Sequence, residues 1–126
     1  MSKNSNNADW QRVVLESPFA GDIEANLTYA HKCMSDCLQR GEAPFASHLL
    51  YTQDGVLDDT IAEERERGIK AGFAWGDVAT KVVVYTDHGI SKGMQLGIDK
   101  AKDSGLPVEY RSFAEDSTED TESEKM

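Results

Sequence analysis

Short apolar runs alternate with longer stretches of helical periodicity along this chain, and the alternation predicts an α/β fold. The run Arg12–Glu16 is typical of a short strand, and Lys81–Tyr85, with three consecutive valines, is typical of a strand buried in a parallel sheet. Between them, apolar side chains recur at helical spacing through Asp22–Arg40, which predicts a helix. These side chains are Ile23, Leu27, Ala30, Met34 and Leu38.

Capping residues mark the ends of the predicted helices. Asp22 is a good N-cap for the first helix, and Gly41 ends it. Thr60 and Glu63 have the spacing of a capping box, which predicts that a second helix begins there. Glycines recur at every fourth position of this helix, so we expect one of its sides to lie close against another element. They are Gly68, Gly72 and Gly76.

The remaining segments continue the alternation. Glu42–Leu50 is a weaker strand-like run, and Tyr51–Asp59 is a polar loop. After Tyr85, a glycine-rich turn leads into a helix-like segment that ends at Gly105, and Leu106–Tyr110 is a further strand. With right-handed crossovers, these elements predict a small three-layer α/β sandwich of about four to five mostly parallel strands.

Length and charge limit the classes of function. The chain has 126 residues, enough for one domain, which we place at residues 10–113. Residues 1–9 are predicted to be a flexible N-terminus, and residues 114–126, with six acids from Glu115 onward, an acidic disordered tail. The net charge of −10 disfavours nucleic-acid binding. Without a membrane-length apolar stretch or the apolar core of a signal peptide, we expect a cytoplasmic protein that does not bind membranes.

The cysteines and histidines do not indicate a metal site. Cys33 and Cys37 lie one helical turn apart, where a disulfide is geometrically poor, and we expect two small, partly buried side chains. Zinc would need further ligands, and His31, His48 and His88 lack metal-site spacing. We predict no metal and no other cofactor.

Polar residues collect where a ligand is expected. In parallel sheets, ligands bind beyond the carboxyl ends of the strands, at the point where the strand order reverses. The loops 17–22, 48–59 and 86–93 follow the first three predicted strands. Asp22, Asp59 and Ser91 can equally be helix caps, and His48, which lies among apolar residues, is either structural or catalytic. The charged run 63–67 is either an exposed helix face or the source of a site-lining Glu or Arg.

The last of these loops has the features of a phosphate or ribose site. Gly89 and Gly93 allow a close approach of the backbone to a ligand, and Ser91 is a suitable N-cap. The backbone amides there would face the ligand at the positive end of a helix dipole.

Two motifs resemble the nucleoside 2-deoxyribosyltransferase superfamily. Ser17-Pro-Phe-Ala-Gly21 resembles its small-molecule loop, and Ser91-Lys-Gly-Met-Gln-Leu-Gly97 resembles its signature Ser-x-Gly-(Met/Tyr)-Glu-x-Gly. The order of short motifs over residues 12–111 is similar to that of small phage and prophage members. The resemblance implies a flavodoxin-like or Rossmann-like fold, assembly into a homo-oligomer, and cleavage or exchange of an N-glycosidic bond. It also implies a host-cytoplasmic protein if the chain is phage-encoded.

The resemblance implies site residues as well, with one departure. Enzymes of the superfamily use a Glu on the first turn of the last helix to attack the anomeric carbon, whereas this chain has Gln95, and an amide is a very poor nucleophile. Asp99 is the next acid on that helix, and Asp87 matches a site acid before the turn. The positions assigned to ligand binding are Ser17, Phe19, Gly21, Asp22, His48, Gly89, Ser91, Gly93 and Met94.

Three functions remain as hypotheses. The first is a nucleoside- or nucleotide-binding protein without turnover, which the Gln95 substitution and the retained glycine-rich turn favour. The second is an active N-glycosidase or deoxyribosyltransferase in nucleotide salvage or degradation. The third is a non-catalytic interaction protein that acts through the acidic tail.

Overall fold

The computed structural model describes residues 10–114. The predicted flexible N-terminus, and all of the predicted acidic tail except Ala114, lie outside the described residues. The strands are β1 (Gln11–Glu16), β2 (Glu42–Phe45), β3 (Lys81–Tyr85) and β4 (Val108–Arg111). The helices are α1 (Ile23–Gln39), α2 (Ser47–Leu50), α3 (Ala62–Gly76) and α4 (Lys92–Asp103).

The strands form one parallel sheet in the order β2-β1-β3-β4. Both neighbours of β1 pair with it in parallel, and Glu16 is opposite Val84 of β3. The chain moves to one side of β1 for β2 and to the other side for β3, so the strand order reverses between β1 and β3. The predicted α/β sandwich, flavodoxin-like or Rossmann-like, is confirmed.

Helices cover both faces of this sheet. On one face α1 packs its buried cysteines, Cys33 and Cys37, against Val13 and Leu15 of β1 and Tyr85 of β3. Both thiols are free, and both side chains are fully buried rather than partly buried as predicted. On the other face α4 contributes a second buried cluster, formed by Val82, Val84, Met94, Ile98 and Ala101.

Helix α3 lies on the same face as α4 but is less tightly packed. None of its residues is buried, and it contacts β1 and α4 along one side. As its glycines predict, it approaches neighbouring segments closely: a Cβ built on Gly68 would lie 3.0 Å from Leu57, and one on Gly72 3.1 Å from Ser47. Space therefore remains between α3 and the sheet.

Most predicted helix ends agree with the structure. Asp22 accepts a hydrogen bond from the amide of Ala25 and caps α1, and Gly41 follows the helix with a φ of 80°. Ser91 caps α4 by accepting a hydrogen bond from the amide of Met94 at 3.2 Å. These three positions confirm the predicted caps.

Two local predictions are wrong. The strand-like run Glu42–Leu50 is a strand only to Phe45, because Ser47–Leu50 forms the short helix α2. The predicted capping box also does not form: Ile61 is the N-cap of α3 without a side-chain cap, since the Thr60 hydroxyl donates to Asp58 instead, at 2.6 Å.

A buried ion pair links the two edge strands. Arg111, the last residue of β4, donates two hydrogen bonds to Glu42, the first residue of β2, at 2.6 and 2.9 Å. Arg111 also donates to Glu109 and to the hydroxyl of Tyr85, and Lys81 pairs with both carboxylates. The arrangement fixes the position of β4 relative to the rest of the sheet.

Within residues 10–114, the helices are too short or too polar to cross a membrane.

Candidate functional site

A cleft of about 510 Å³ opens on the face of the sheet covered by α3 and α4. It reaches the carboxyl end of β1, next to the point where the strand order reverses, which is where ligands bind in sheets of this type. Its volume lies within the range of small-molecule sites.

The N-terminus of α4 forms one wall of this cleft. The amides of Lys92 and Gly93 have no hydrogen-bond partner among the described residues, as is usual for the first turn of a helix. Arg65, from the first turns of α3, brings its guanidinium to this place: a Cβ built on Gly93 would lie 3.4 Å from its Nη2. Asp59 lies 3.8 Å from Nε of Arg65. Free amides, a helix dipole and a guanidinium together favour the binding of an anion.

A serine and a histidine pair at the end of β1. Ser17 is buried, and its Oγ lies within hydrogen-bond distance, 2.9 Å, of Nε2 of His48. Burial lowers the pKa of His48 to about 4, so the imidazole is neutral at physiological pH. Phe19 contacts the same imidazole edge to face. The loop that carries Ser17 and Phe19 is held by Asn26, whose amide donates to the carbonyls of Phe19 and Ala20.

Apolar side chains from β1, β2 and α3 line another part of the cleft. These side chains are Val14 of β1, Phe45 of β2, and Ile69 and Phe73 of α3. Phe45 also packs against Trp75, with ring centroids 5.1 Å apart. A flat, weakly polar group can enter between α3 and the sheet without leaving buried hydrogen-bonding groups unpaired.

Glu16 brings a carboxyl group into the cleft. It is the last residue of β1 and lies on the same face of the strand as Val14. The carboxyl group contacts α4 at Gly97, where a Cβ would lie only 2.7 Å from its carboxyl carbon. No described residue donates a hydrogen bond to it or forms an ion pair with it. Burial raises the pKa of Glu16 to about 8, so the group is mostly protonated at neutral pH.

Asp87, a predicted catalytic residue, is held by Tyr29 of α1 and by residues 112–114, which follow β4. It accepts hydrogen bonds from the Tyr29 hydroxyl at 2.7 Å, the Ser112 hydroxyl at 2.8 Å, and the amides of Phe113 and Ala114. Burial alone would raise its pKa, but these four hydrogen bonds hold the pKa of Asp87 well below its usual range. Asp87 is therefore an anionic anchor, and it does not line the cleft.

The two predicted catalytic positions on α4 lie on the exposed side of that helix. The amide of Gln95 donates to the carboxylate of Asp99 at 2.9 Å, one turn further along. Neither side chain lines the cleft, whereas Gly93, Met94 and Gly97 do. Gln95 and Asp99 are thus brought together with each other but not with Asp87 or with the Ser17–His48 pair.

The predicted binding positions divide in the same way. Those that line the cleft are Ser17, Phe19, His48, Ser91, Gly93 and Met94, and those that do not are Gly21, Asp22 and Gly89. Gly21 and Gly89 have positive φ angles of 98° and 84°, so they shape the loops after β1 and β3.

Sequence reasoning overlooked Glu16 and left Arg65 as one of two alternatives. A signal for Glu16 was available: Val13 and Leu15 face α1, so Val14 and Glu16 must face the other layer, where an acid at the end of a strand is unusual. Whether Arg65 reaches the cleft depends on the residue at which α3 begins. Lys92 and Lys100 also line the cleft.

Metal-binding clusters of three or more His, Cys, Asp or Glu side chains do not occur in the described part of the chain. The arrangement can hold an anionic group near α4 and a flat group in the apolar part, with a neutral histidine and a protonated carboxyl group beside them.

Comparisons with known proteins agree with this fold. The model of a family described as a domain of unknown function, DUF7768, matches residues 11–111. The solved structure of the 2-deoxyribosyltransferase from the psychrotolerant bacterium Bacillus psychrosaccharolyticus is similar, with a TM-score of 0.63 and 19% sequence identity over 80% of this chain and 72% of that chain. No curated protein matches the chain. At this identity the likeness concerns the fold.

Proposed function

The chain belongs to the DUF7768 family, and we propose that it binds a nucleoside or a nucleoside 5′-monophosphate in the cleft between α3 and α4. The observation that carries this proposal is the guanidinium of Arg65 beside the unpaired amides of α4, at the mouth of an apolar cleft. The similar structure is that of a 2-deoxyribosyltransferase described as a biocatalyst for nucleoside synthesis, which supports the choice of ligand class.

The phosphate of the ligand belongs at the N-terminus of α4. There it would accept hydrogen bonds from the amides of Lys92 and Gly93 and from Arg65, and the side chain of Lys92 adds positive charge at the same end of the helix. Asp59 holds the Nε side of Arg65 and leaves Nη2 directed toward Gly93.

The nucleobase belongs in the apolar part, between α3 and the sheet. Phe45 and Phe73 offer faces or edges for stacking, and the Ser17–His48 pair offers a donor and an acceptor for the sugar hydroxyls. A chain with net charge −10 is a poor ligand for nucleic acid, so a single nucleotide suits this site better than a polymer.

The test is a calorimetric titration of the full chain with the four 2′-deoxynucleoside 5′-monophosphates and their parent nucleosides. We expect saturable binding of at least one of them, with the monophosphate bound more tightly than its nucleoside. Absence of binding by the whole panel would refute the proposal.

A second candidate function, cleavage of the N-glycosidic bond of the bound ligand, is favoured by Glu16. Such cleavage needs a carboxyl group beside the sugar and the departing base. The first turn of α4 offers Gln95, which faces away from the cleft, whereas β1 offers Glu16 inside it.

A further inference from the structure

We propose that Glu16 is the proton donor of the cleft, giving its carboxyl proton to the nucleobase when the N-glycosidic bond of a bound nucleotide breaks. This inference rests on the proposed function, because it requires that a nucleoside or nucleotide occupies the cleft. Helix α4 has no acid on the side that faces the cleft, so the proton would come from a residue of β1.

The position of Glu16 suits this task. It ends β1, where the strand order reverses, and it is followed directly by Ser17, the partner of His48. Its carboxyl group lies against Gly97, at the place where any side chain at position 97 would begin. The glycine therefore leaves room on the inner side of α4 for an acid supplied by the sheet.

Among the described residues, the carboxyl group of Glu16 has no partner, unlike buried Glu42 and half-buried Asp87. Glu42 is held by Arg111 at 2.6 and 2.9 Å and by Lys81 at 3.1 Å. Asp87 accepts four hydrogen bonds. Both of these acids are held by several partners, whereas no described residue bonds to the oxygens of Glu16, which leaves them available to a ligand.

Charged groups around the cleft do not stabilise the ionised form of Glu16. The titratable and charged side chains lining the cleft, from α2, the loop before α3, α3 and α4, are His48, Asp59, Arg65, Asp77, Lys92 and Lys100. Desolvation is the cause of the raised pKa of Glu16, about 8, and no cation of residues 10–114 offsets it. The group therefore carries a proton at pH 7, as a general acid must.

The reaction balances with water as the only co-reactant. The bond between C1′ of the sugar and the base nitrogen breaks, and its electron pair stays with the base. The base nitrogen takes the proton of Glu16, leaving a carboxylate. Water adds its oxygen to C1′ and releases a proton, and the Glu16 carboxylate regains a proton from solvent before the next turnover. The products are the free base and the sugar or sugar phosphate.

The other acids of the predicted site are less suited to donate a proton. Asp87 is ionised and fully hydrogen-bonded, so it has no proton to give. Asp99 pairs with Gln95 on the outer side of α4.

The experiment measures both binding and release of free base. Wild-type protein and Glu16→Gln are incubated with the four 2′-deoxynucleoside 5′-monophosphates, free base is quantified by chromatography, and Kd is measured by calorimetry. The amide keeps the size of the carboxyl group and can still donate a hydrogen bond, but it has no acidic proton. We expect wild-type turnover, a loss of at least about a hundredfold in Glu16→Gln, and a Kd within about threefold of wild type.

A surface substitution and the pH profile complete the test. Glu66→Gln, on the exposed side of α3 where Glu66 pairs with Lys70, is the matched control and should keep the wild-type rate. The wild-type rate should fall about tenfold per pH unit above the pKa of Glu16. This fall in rate is the alkaline limb of the pH profile. If Glu16→Gln does not fold, the presence of the alkaline limb in both wild type and Glu16→Asp provides the same test.

Each outcome separates the two proposals. Binding without release of free base would overturn the role of Glu16 and leave the proposed function standing. Release at the wild-type rate by Glu16→Gln, or a rate without the alkaline limb, would assign the proton to another group. Absence of binding by every probe would overturn the proposed function, and with it this inference.

Discussion

At the scale of single residues, Glu16 and Gly97 depend on each other. The carboxyl group of Glu16 lies against a glycine of α4, and any larger residue there would have to displace it. The cleft therefore contains an acid that no described residue pairs with, at a place where ionisation is unfavourable, as the proposed proton donation requires.

Replacing Gly97 by Ala should move the Glu16 carboxyl group toward solvent. Because the displaced atoms are the end of a flexible side chain, we expect a change in stability of only about 1 kcal/mol, but a clear fall in the pKa of Glu16. Carbon-detected NMR titration of the carboxyl group measures this pKa. Gly76→Ala is the matched control, since its Cβ would meet no atom within 4 Å. An unchanged pKa of Glu16 in Gly97→Ala would contradict the contact between the Glu16 carboxyl group and Gly97.

Glu16 should also make the stability of the protein depend on pH. Its pKa is about 8 in the folded chain against 4.5 for the ordinary value, so the folded state binds more protons than the unfolded state between these limits. Stability due to this group is therefore full below about pH 4.5 and falls as the pH rises toward 8.

Glu16→Gln should accordingly gain stability relative to wild type as the pH rises, on the order of a few kcal/mol at pH 9. Urea unfolding of both proteins at several pH values gives the difference. A difference that does not grow with pH would show that the carboxyl group is better hydrated than the structure indicates.

At the scale of the elements, α3 and α4 meet at their N-terminal ends, and this meeting forms the proposed phosphate site. Arg65 reaches from α3 to Gly93 of α4, whereas Arg67, two residues further along α3, is exposed and does not line the cleft.

Arg65→Ala should weaken binding of 2′-deoxynucleoside 5′-monophosphates by about ten- to a hundredfold, because a charge-assisted hydrogen bond to the phosphate is lost. Binding of the parent nucleosides should change little. Arg67→Ala removes the same charge from the same helix and should leave both affinities unchanged. Calorimetry on the two variants measures these affinities. Equal losses of affinity in both variants would show that Arg65 acts only through the net charge of the protein.

The sequence patterns did not predict α2 or the first residue of α3. Ser47–Leu50 continues the apolar run of β2 and has no distinct helical period, so the turn into α2 depends on packing against α3. Thr60 is a residue type that often caps helices, but its hydroxyl donates to Asp58 instead. Local patterns gave the existence of α3 but not the residue at which it begins.

At the scale of the whole molecule, one parallel sheet and a buried ion network determine the architecture. The fold could be predicted because the valine-rich β3 and the regular periodicity of α1 leave few alternatives. The candidate site could be predicted only in part: strand ends pointed to Ser17, His48 and Ser91, whereas Gln95 and Asp99 depend on which side of α4 faces the sheet. Oligomeric assembly, phage origin and cytoplasmic location remain predictions.

Arg111→Ala should destabilise the whole fold by about 3 to 5 kcal/mol, because Glu42 would remain buried without its main partner. The side chains of Arg111 and Glu42 are 5% and 7% exposed, so water cannot replace the pair. Arg40→Ala breaks the exposed pair with Asp36 and should cost under about 1 kcal/mol. Thermal and urea unfolding compare the two, and equal effects would contradict a structural role for the network.

Locating the ligand tests the proposed nucleotide binding most directly. Amide shifts of the isotope-labelled protein, followed by NMR during titration with a 2′-deoxynucleoside 5′-monophosphate that binds, should change most at Ser17, His48, Lys92 and Gly93, which line the cleft. Shifts concentrated instead at Gln95, Asp99 and Asp87, with the residues of the cleft unaffected, would contradict nucleotide binding in the cleft.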